Sequence, residues 1–288
     1  MTDLNETTLT DAVLARFADT PDPRLKQIVT AFARHLHAFV REVEPTFDEW
    51  SRGIDFLTRT GQMCSDKRQE FILLSDVLGV SMLVDAINNR QPAGATETTV
   101  LGPFFVEGAP EVANGGDISG GASGEKLHVS GQVSSVGGTP LPGAVVEVWH
   151  SDAEGFYDVQ RPGQTEPSSR ARLRADADGR FDFWSTQPTS YPIPHDGPVG
   201  ELLSATGRHP YRPAHVHFMI SAPGHETLVT HVFVAGDDYL DTDPVFGVKR
   251  SLVRDYAQHP AGEGTDGRAM PEPWRSLHYD FALKPSAA

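Results

Sequence analysis

The chain reads as a mainly β, α+β protein: an antiparallel β-sandwich domain preceded by an N-terminal helical region. Three observations predict this. Apolar residues recur at helical spacing up to about residue 90. A Gly-, Pro- and Ala-rich stretch follows, and from residue 126 the hydrophobic period becomes two. The expected organisation is a helical region at 1–90, a connecting segment at 91–125 and a sandwich domain at 126–288.

Within the first region, Ile28, Phe32, Leu36, Phe39 and Val43 step by four, four, three and four. Phe71, Leu74, Leu78 and Met82 step by three, four and four, which predicts an apolar helix through "FILLSDVLGVSML". Pro23 and Pro45 mark helix boundaries and Gly61 is expected just past a helix C-terminus, giving three or four helices between about residues 8 and 89. The connecting segment has no helical period. Connections of that length in compact proteins are functional or disordered, and its apolar "VLGPFF" predicts that this part packs against something.

Strand patterning then takes over. Leu127, Val129 and Val133 alternate with polar residues, and "TPLPG" turns the chain. Val145, Glu147 and Trp149 share one strand face, and Val146, Val148 and His150 the other. "DADGR" reads as a hairpin-type turn before Phe181 and Phe183, and "HVHFMIS" and "LVTHVFVAG" read as further strands.

Composition excludes several functions. The formal net charge of −15 disfavours nucleic acid or an anionic membrane as partner, since both need clustered cations. A single cysteine, Cys64, rules out an internal disulfide framework and a Cys-based zinc site. The N-terminal "MTDLNETTLTDAV" lacks the basic and apolar regions of a signal peptide, and no run approaches 18 apolar residues, so a cytoplasmic protein is expected. Neither GxxxxGK[ST], a strand-linked GxGxxG, nor GxSxG occurs.

The positive signal lies in "RPAHVHF". Side chains two apart on a strand project together, so His215 and His217 aim their rings at one point. Imidazole pairs suit Fe, Zn, Cu or Ni, although two satisfied core histidines explain a bare HxH equally well. A cupin would place a glutamate four or five residues beyond the second histidine, where Ser221 and Ala222 stand. Tyr157, in "HSDAEGFYD", and Tyr191, in "PTSYPIPHDGPVG", offer another completion. If both reach the histidines, the donors are two imidazoles and two phenols. A hard trivalent cation would deprotonate such phenols, whose free pKa is about 10.

The segments "EFILLSDVLGVSMLVD", "TVLGPFFVEGAP", "PLPGAVVEVWHSDAEGFYD", "SYPIPHDGPVGELL" and "RHPYRPAHVHFMISAPGHETLVTHVFVAGDDYLD" together resemble the intradiol ring-cleaving dioxygenases, most closely those acting on hydroxyquinol. The likeness covers nearly the whole chain. It implies a catalytic sandwich at 126–288 holding one non-haem Fe(III) through Tyr157, Tyr191, His215 and His217. It also implies that the helices at 1–90 link two copies into a homodimer, at whose interface a lipid can sit, and that 91–125 borders the substrate pocket. The expected reaction cleaves hydroxyquinol with O2 to 3-hydroxy-cis,cis-muconate or maleylacetate; catechol or a chlorocatechol is the alternative substrate.

In that scheme Tyr191 takes a substrate proton and Arg212 stabilises negative charge developing on the ring. His231 stands where catechol-cleaving relatives carry glutamine and is a candidate neighbour of the metal ligands. The matching pocket positions are Leu73, Asp76, Val100, Gly102 and Pro103. Phe104, Ile193, Pro194 and Val245 complete the set. Asp76 interrupts an apolar helix, and a buried carboxylate needs a partner, which a third ring hydroxyl would supply. Two other classes stay open. The strand region also resembles transthyretin-like and carboxypeptidase-regulatory sandwiches, which do no chemistry, and HxH plus a carboxylate would suit Zn or Fe(II) hydrolase or extradiol chemistry.

Overall fold

Helix periodicity and strand alternation both survive in the computed structural model, which describes residues 3–66 and 68–286. The chain divides into two compact units at Gln62/Met63. The first holds α1 (Leu9–Ala15), α2 (Pro23–Val43) and α3 (Phe47–Gln62). Asp22 caps α2, its carboxylate accepting from the backbone N–H of Arg24 and Leu25, and Pro23 occupies the first turn, where no N–H is needed. Thr10 ties α1 to α2 by accepting from Arg41 (2.9 Å) and pairing with His37 (3.0 Å). Phe32, Phe39, Val43, Phe47 and Trp50 are more than half exposed.

The second unit opens with α4 (Glu70–Val77) and α5 (Val80–Asn88). Among the described residues five helices thus precede the strands, where three or four were expected. The single helix expected through "FILLSDVLGVSML" is broken, because Gly79 takes a left-handed φ of 72° that ends α4 and starts α5. Gly61 lies inside the last turn of α3 and does not follow its end.

Among the described residues the sandwich is carried mainly by β1 (Lys126–Ser135), β2 (Val145–His150), β3 (Arg170–Arg174), β4 (Arg180–Thr186), β5 (His215–Ser221), β6 (Leu228–Val234), β7 (Trp274–His278) and β8 (Phe281–Leu283), with short strands at the sheet edges. One sheet runs β6-β5-β2-β3, all antiparallel, with Val253–Arg254 added parallel at the β6 edge. The other centres on β1, antiparallel to β4 but parallel to β7 and β8. The sandwich is therefore mixed and not wholly antiparallel. Residues 136–273, which join the parallel partners β1 and β7, supply the crossover that parallel pairing needs. The "DADGR" turn closes locally, Asp176 accepting from the backbone of Asp178 and Arg180, yet β3 and β4 enter different sheets, so it crosses between layers instead of making a hairpin.

Alternation decides what lies between the sheets. Val146 and Val148 of β2 and Val216, Phe218 and Ile220 of β5 meet Leu127, Val129, Phe181, Phe183 and Phe281 in one core. Each such side chain contributes about 1.5–3 kcal/mol on burial. The odd-numbered residues of β2 and β5 face the other way. There Cα pairing aligns Trp149, His217 and His231 in one row across β2, β5 and β6. The functional residues collect on that outer face, under the connecting segment and the loops after β2 and β4.

Candidate metal centre and substrate pocket

β5 presents His215 and His217 side by side, each 1% exposed, with their Nε2 atoms 3.1 Å apart. His215 Nδ1 donates to the carbonyl of Pro213 at 2.7 Å, so its Nε2 carries the lone pair that faces the site. The His217 ring is sandwiched by Trp149, stacked at 4.7 Å, and by Gly102, where a Cβ would come within 3.1 Å of His217 Cε1. Its Nδ1 is buried without a hydrogen-bond partner and its Nε2 lies 3.0 Å from Tyr157 Oη.

Tyr157 comes from the loop after β2. Asp152 builds that loop by accepting from the N–H groups of Glu154 and Phe156, and Gly155 turns it at φ 86° against the Cβ of Tyr191. Tyr191 belongs to a two-residue strand, Tyr191–Pro192, whose partner Tyr211–Arg212 sets Tyr191 opposite Arg212. The two phenol oxygens are 3.2 Å apart, and Arg212 Nη1 stands 3.5 Å from Tyr191 Oη and 3.4 Å from His215 Nε2. Four chain segments thus deliver Tyr157, Tyr191, Arg212 and the histidine pair to one buried spot.

Burial governs the protonation states. It pulls all three imidazoles, His215, His217 and His231, well below their ordinary value, aided by Arg212 and by one another, which keeps them neutral. Burial also pushes the Tyr157 phenol well above 10, so only a cation at its oxygen makes it a phenolate. Burial works against the charge of Arg212 too, but Asp243 and the tyrosines outweigh it and hold the guanidinium above its ordinary value.

These residues fit a metal ion. Neighbouring donors lie 3.1, 3.0 and 3.2 Å apart along the run His215–His217–Tyr157–Tyr191. That is the separation of ligands whose bonds to one ion are about 2 Å. Neutral imidazoles together with two acidifiable phenols suit a hard cation of high charge. The histidine trio His215, His217 and His231 also converges, with ligand atoms within 4.8 Å of one another. His231 stacks on His215 at 4.8 Å and its Nε2 is buried without a partner.

The expected pocket positions divide into groups. Leu73, Ile193 and Val245 share one apolar cluster with Val77, Val199 and Leu203. Phe104 stacks on Tyr157 at 4.3 Å and meets Tyr191 edge-on, and Phe105 packs on Trp149, so "VLGPFF" does pack. Gly102 covers His217, and Val100 meets His231 through its backbone. Pro103 is exposed and Pro194 half-buried, placed only by their neighbours Gly102 and Ile193. Asp76 is half-buried beside Ser81; burial raises its carboxyl, against the Ser81 hydroxyl and the charge of Arg212. α4, which carries Leu73 and Asp76, is fixed to α6 (Pro198–Ala205) by Glu70, which accepts from the Val199 N–H at 3.2 Å.

Sequence reasoning missed two buried ion pairs here. Arg170 grips Asp158, the residue after Tyr157, and donates to the carbonyl of Phe104 at 3.1 Å. Asp243 grips Arg212. Asp158 opens a short 3-10 turn and Asp243 sits in a loop, and no pattern in one sequence marks which arginine either meets.

Two histidines and two tyrosines thus converge beside an arginine in one buried, metal-competent cluster on the outer face of the sandwich. Residues 100–285 match the family model described as "Dioxygenase", and residues 22–96 match "Catechol dioxygenase N terminus". The chain belongs to the intradiol ring-cleavage dioxygenases. It is 57% identical over 286 residues to a 6-chlorohydroxyquinol 1,2-dioxygenase of Cupriavidus pinatubonensis, covering 99% of this chain and 100% of that one. It is 54% identical to a hydroxyquinol 1,2-dioxygenase of Nocardioides simplex, covering 98% and 96%. A solved hydroxyquinol 1,2-dioxygenase of Pseudomonas putida superposes with a TM-score of 0.93 at 51% identity, covering 98% and 99%.

Proposed function

We propose that this chain opens the ring of hydroxyquinol (1,2,4-trihydroxybenzene) between its adjacent hydroxylated carbons. Both atoms of O2 enter the product, 3-hydroxy-cis,cis-muconate or its keto form maleylacetate, in aromatic-compound degradation. The observation that carries this is the convergence of Tyr157, Tyr191, His215 and His217 beside buried Arg212. The names of the relatives support the substrate.

The four donors would hold one Fe(III) per chain, and Tyr157 and Tyr191 favour Fe(III) over the softer ions that a histidine trio would accept. When bound, that ion would supply Lewis-acid and redox chemistry, acidifying the substrate hydroxyls and lending the ring the radical character that lets it combine with O2. Tyr191 Oη, 3.5 Å from Arg212, takes the proton of one substrate hydroxyl. Arg212, 3% exposed, stabilises negative charge developing on the ring, where exclusion of water strengthens the effect. Leu73, Ile193 and Val245 keep that face dry. Asp76 accepts from the third hydroxyl, which favours hydroxyquinol over catechol or chlorocatechol.

The exposed apolar residues of α2 and α3 support a homodimer through the N-terminal helices, the interface at which a lipid would sit. Among the described residues no helix is long and apolar enough to cross a membrane, in keeping with a cytoplasmic enzyme.

A spectrum tests this reading. Iron-loaded protein is expected to be red to burgundy from phenolate-to-Fe(III) charge transfer, and the band shifts when hydroxyquinol is added without O2. Tyr157→Phe or Tyr191→Phe alters the colour. Protein that stays colourless and inactive after iron loading refutes the assignment. A product cleaved beside the diol replaces it with extradiol chemistry.

A further inference from the structure

Asp243 lies 31 residues beyond Arg212 in sequence, in the loop after β6, and is 5% exposed. Its Oδ1 accepts from Arg212 Nε (3.2 Å) and from the backbone N–H of Val245 (3.3 Å). Its Oδ2 accepts from Arg212 Nη2 (3.4 Å) and from the N–H of Gly247 (2.9 Å). Two of these four donors are backbone N–H groups, so the carboxylate has a fixed place.

The loop itself is held in an unusual shape. Phe246 takes a left-handed φ of 57°, a conformation that costs a non-glycine residue about 1–2 kcal/mol. Arg208 secures it, donating to the carbonyls of Val77 (2.7 Å) and Pro244 (2.8 Å) with its guanidinium over the Phe246 ring. Gly247 leaves a gap for Arg212: a Cβ there would come within 3.0 Å of Nη2.

The guanidinium so gripped turns its remaining edge to the reaction site. Nη1 reaches Tyr191 and His215, and Nη2 lies 3.5 Å from His231 Nδ1. A flexible arginine side chain loses up to about 2 kcal/mol of rotamer freedom when fixed, and a preformed bidentate acceptor removes that cost from the reaction step.

We infer that Asp243 is a positioning residue for this reaction, acting through Arg212: it aims the guanidinium at the ring of the bound substrate. This rests on the role given to Arg212 above. Asn is the informative replacement. It keeps one acceptor oxygen, but its amide NH2 would face the N–H groups of Arg212 and Gly247, so the fork loses one arm while size is unchanged.

The test is a double-mutant cycle on iron-loaded protein, with D243N, R212A and the double variant compared for kcat and KM with hydroxyquinol, and with thermal midpoint and the charge-transfer band measured for each. A misaimed catalytic group costs about 100-fold, so D243N is expected to lower kcat by about 10–100-fold with the band position close to the parent's; the thermal midpoint falls, because the buried guanidinium loses its counter-charge, and kcat is read well below that midpoint. In the R212A background the same substitution is expected to change kcat by less than twofold. A crystal structure of D243N is expected to show Arg212 turned away from Tyr191. The inference is overturned if D243N leaves kcat within twofold, if its cost is the same with and without Arg212, or if Arg212 keeps its place while activity falls. An R212A variant as active as the parent overturns the role of Arg212 instead, and that result is read before the cycle is closed.

Discussion

Arg170→Met removes one half of a buried ion pair whose side chains are 5% and 8% exposed. Asp158 loses both arms of the guanidinium fork and keeps only the backbone N–H groups of Val159 and Ser168. The Phe104 carbonyl loses its donor as well. Leaving one buried charge uncompensated costs about 3–5 kcal/mol, a large share of the roughly 5–15 kcal/mol that holds a domain together. For a unit of this size that lowers the thermal midpoint by roughly 6–20 °C. Urea unfolding followed by tryptophan fluorescence measures the loss. Arg170→Lys is expected to recover only part of it, because an ammonium cannot reproduce the fork and the third bond to Phe104. Pairing Arg170→Met with Asp158→Leu is expected to recover most of it, since no charge is then stranded. A loss below about 1 kcal/mol for the single variant, or a double variant no better than the single, refutes the reasoning.

Three further outcomes are expected. Burial lowers His150 to about 4, so between pH 6.5 and 4 the unfolded chain takes up a proton that the folded chain refuses, and stability falls as pH falls through that window. His150→Gln is expected to flatten the decline by about 3 kcal/mol in urea titrations at stepped pH, and an unchanged slope refutes it. Gly102→Ala forces a side chain onto a residue at φ 78° with its Cβ 3.1 Å from His217. Chelator competition is expected to show roughly tenfold weaker iron retention, as for disturbed ligand support generally. Asp76→Ala is expected to lower kcat/KM for hydroxyquinol about tenfold or more relative to catechol, a ratio read by oxygen uptake; equal losses on both substrates remove Asp76 from selectivity.

What the sequence shows of the site depends on distance along the chain. The HxH pair is legible because strand geometry alone aligns His215 with His217. Tyr157 and Tyr191 are legible by resemblance, not by spacing, since each reaches the histidines from its own loop. The grip of Asp243 on Arg212 and that of Arg170 on Asp158 are invisible, because nothing local constrains which loop carboxylate meets which arginine. The same limit applies to the fold. Alternation in β1 tells which side chains go inward, but not that β7 and β8 lie alongside it in parallel. The break at Gly79 is hidden because the step from Leu78 to Met82 stays four, so the apolar rhythm runs unbroken across two helices.

β5 serves two masters with its two faces: Val216, Phe218 and Ile220 fill the core, while His215 and His217 form the site. A slip of one residue would exchange these sets, driving imidazoles into hydrocarbon and valine toward the metal position. Length drift in this strand is therefore quantised. Among descendants of this gene, a single-residue insertion or deletion inside His215–Ser221 destroys folding and chemistry together, whereas the loops that carry Tyr157 and Tyr191 are free to change length so long as their ends still meet.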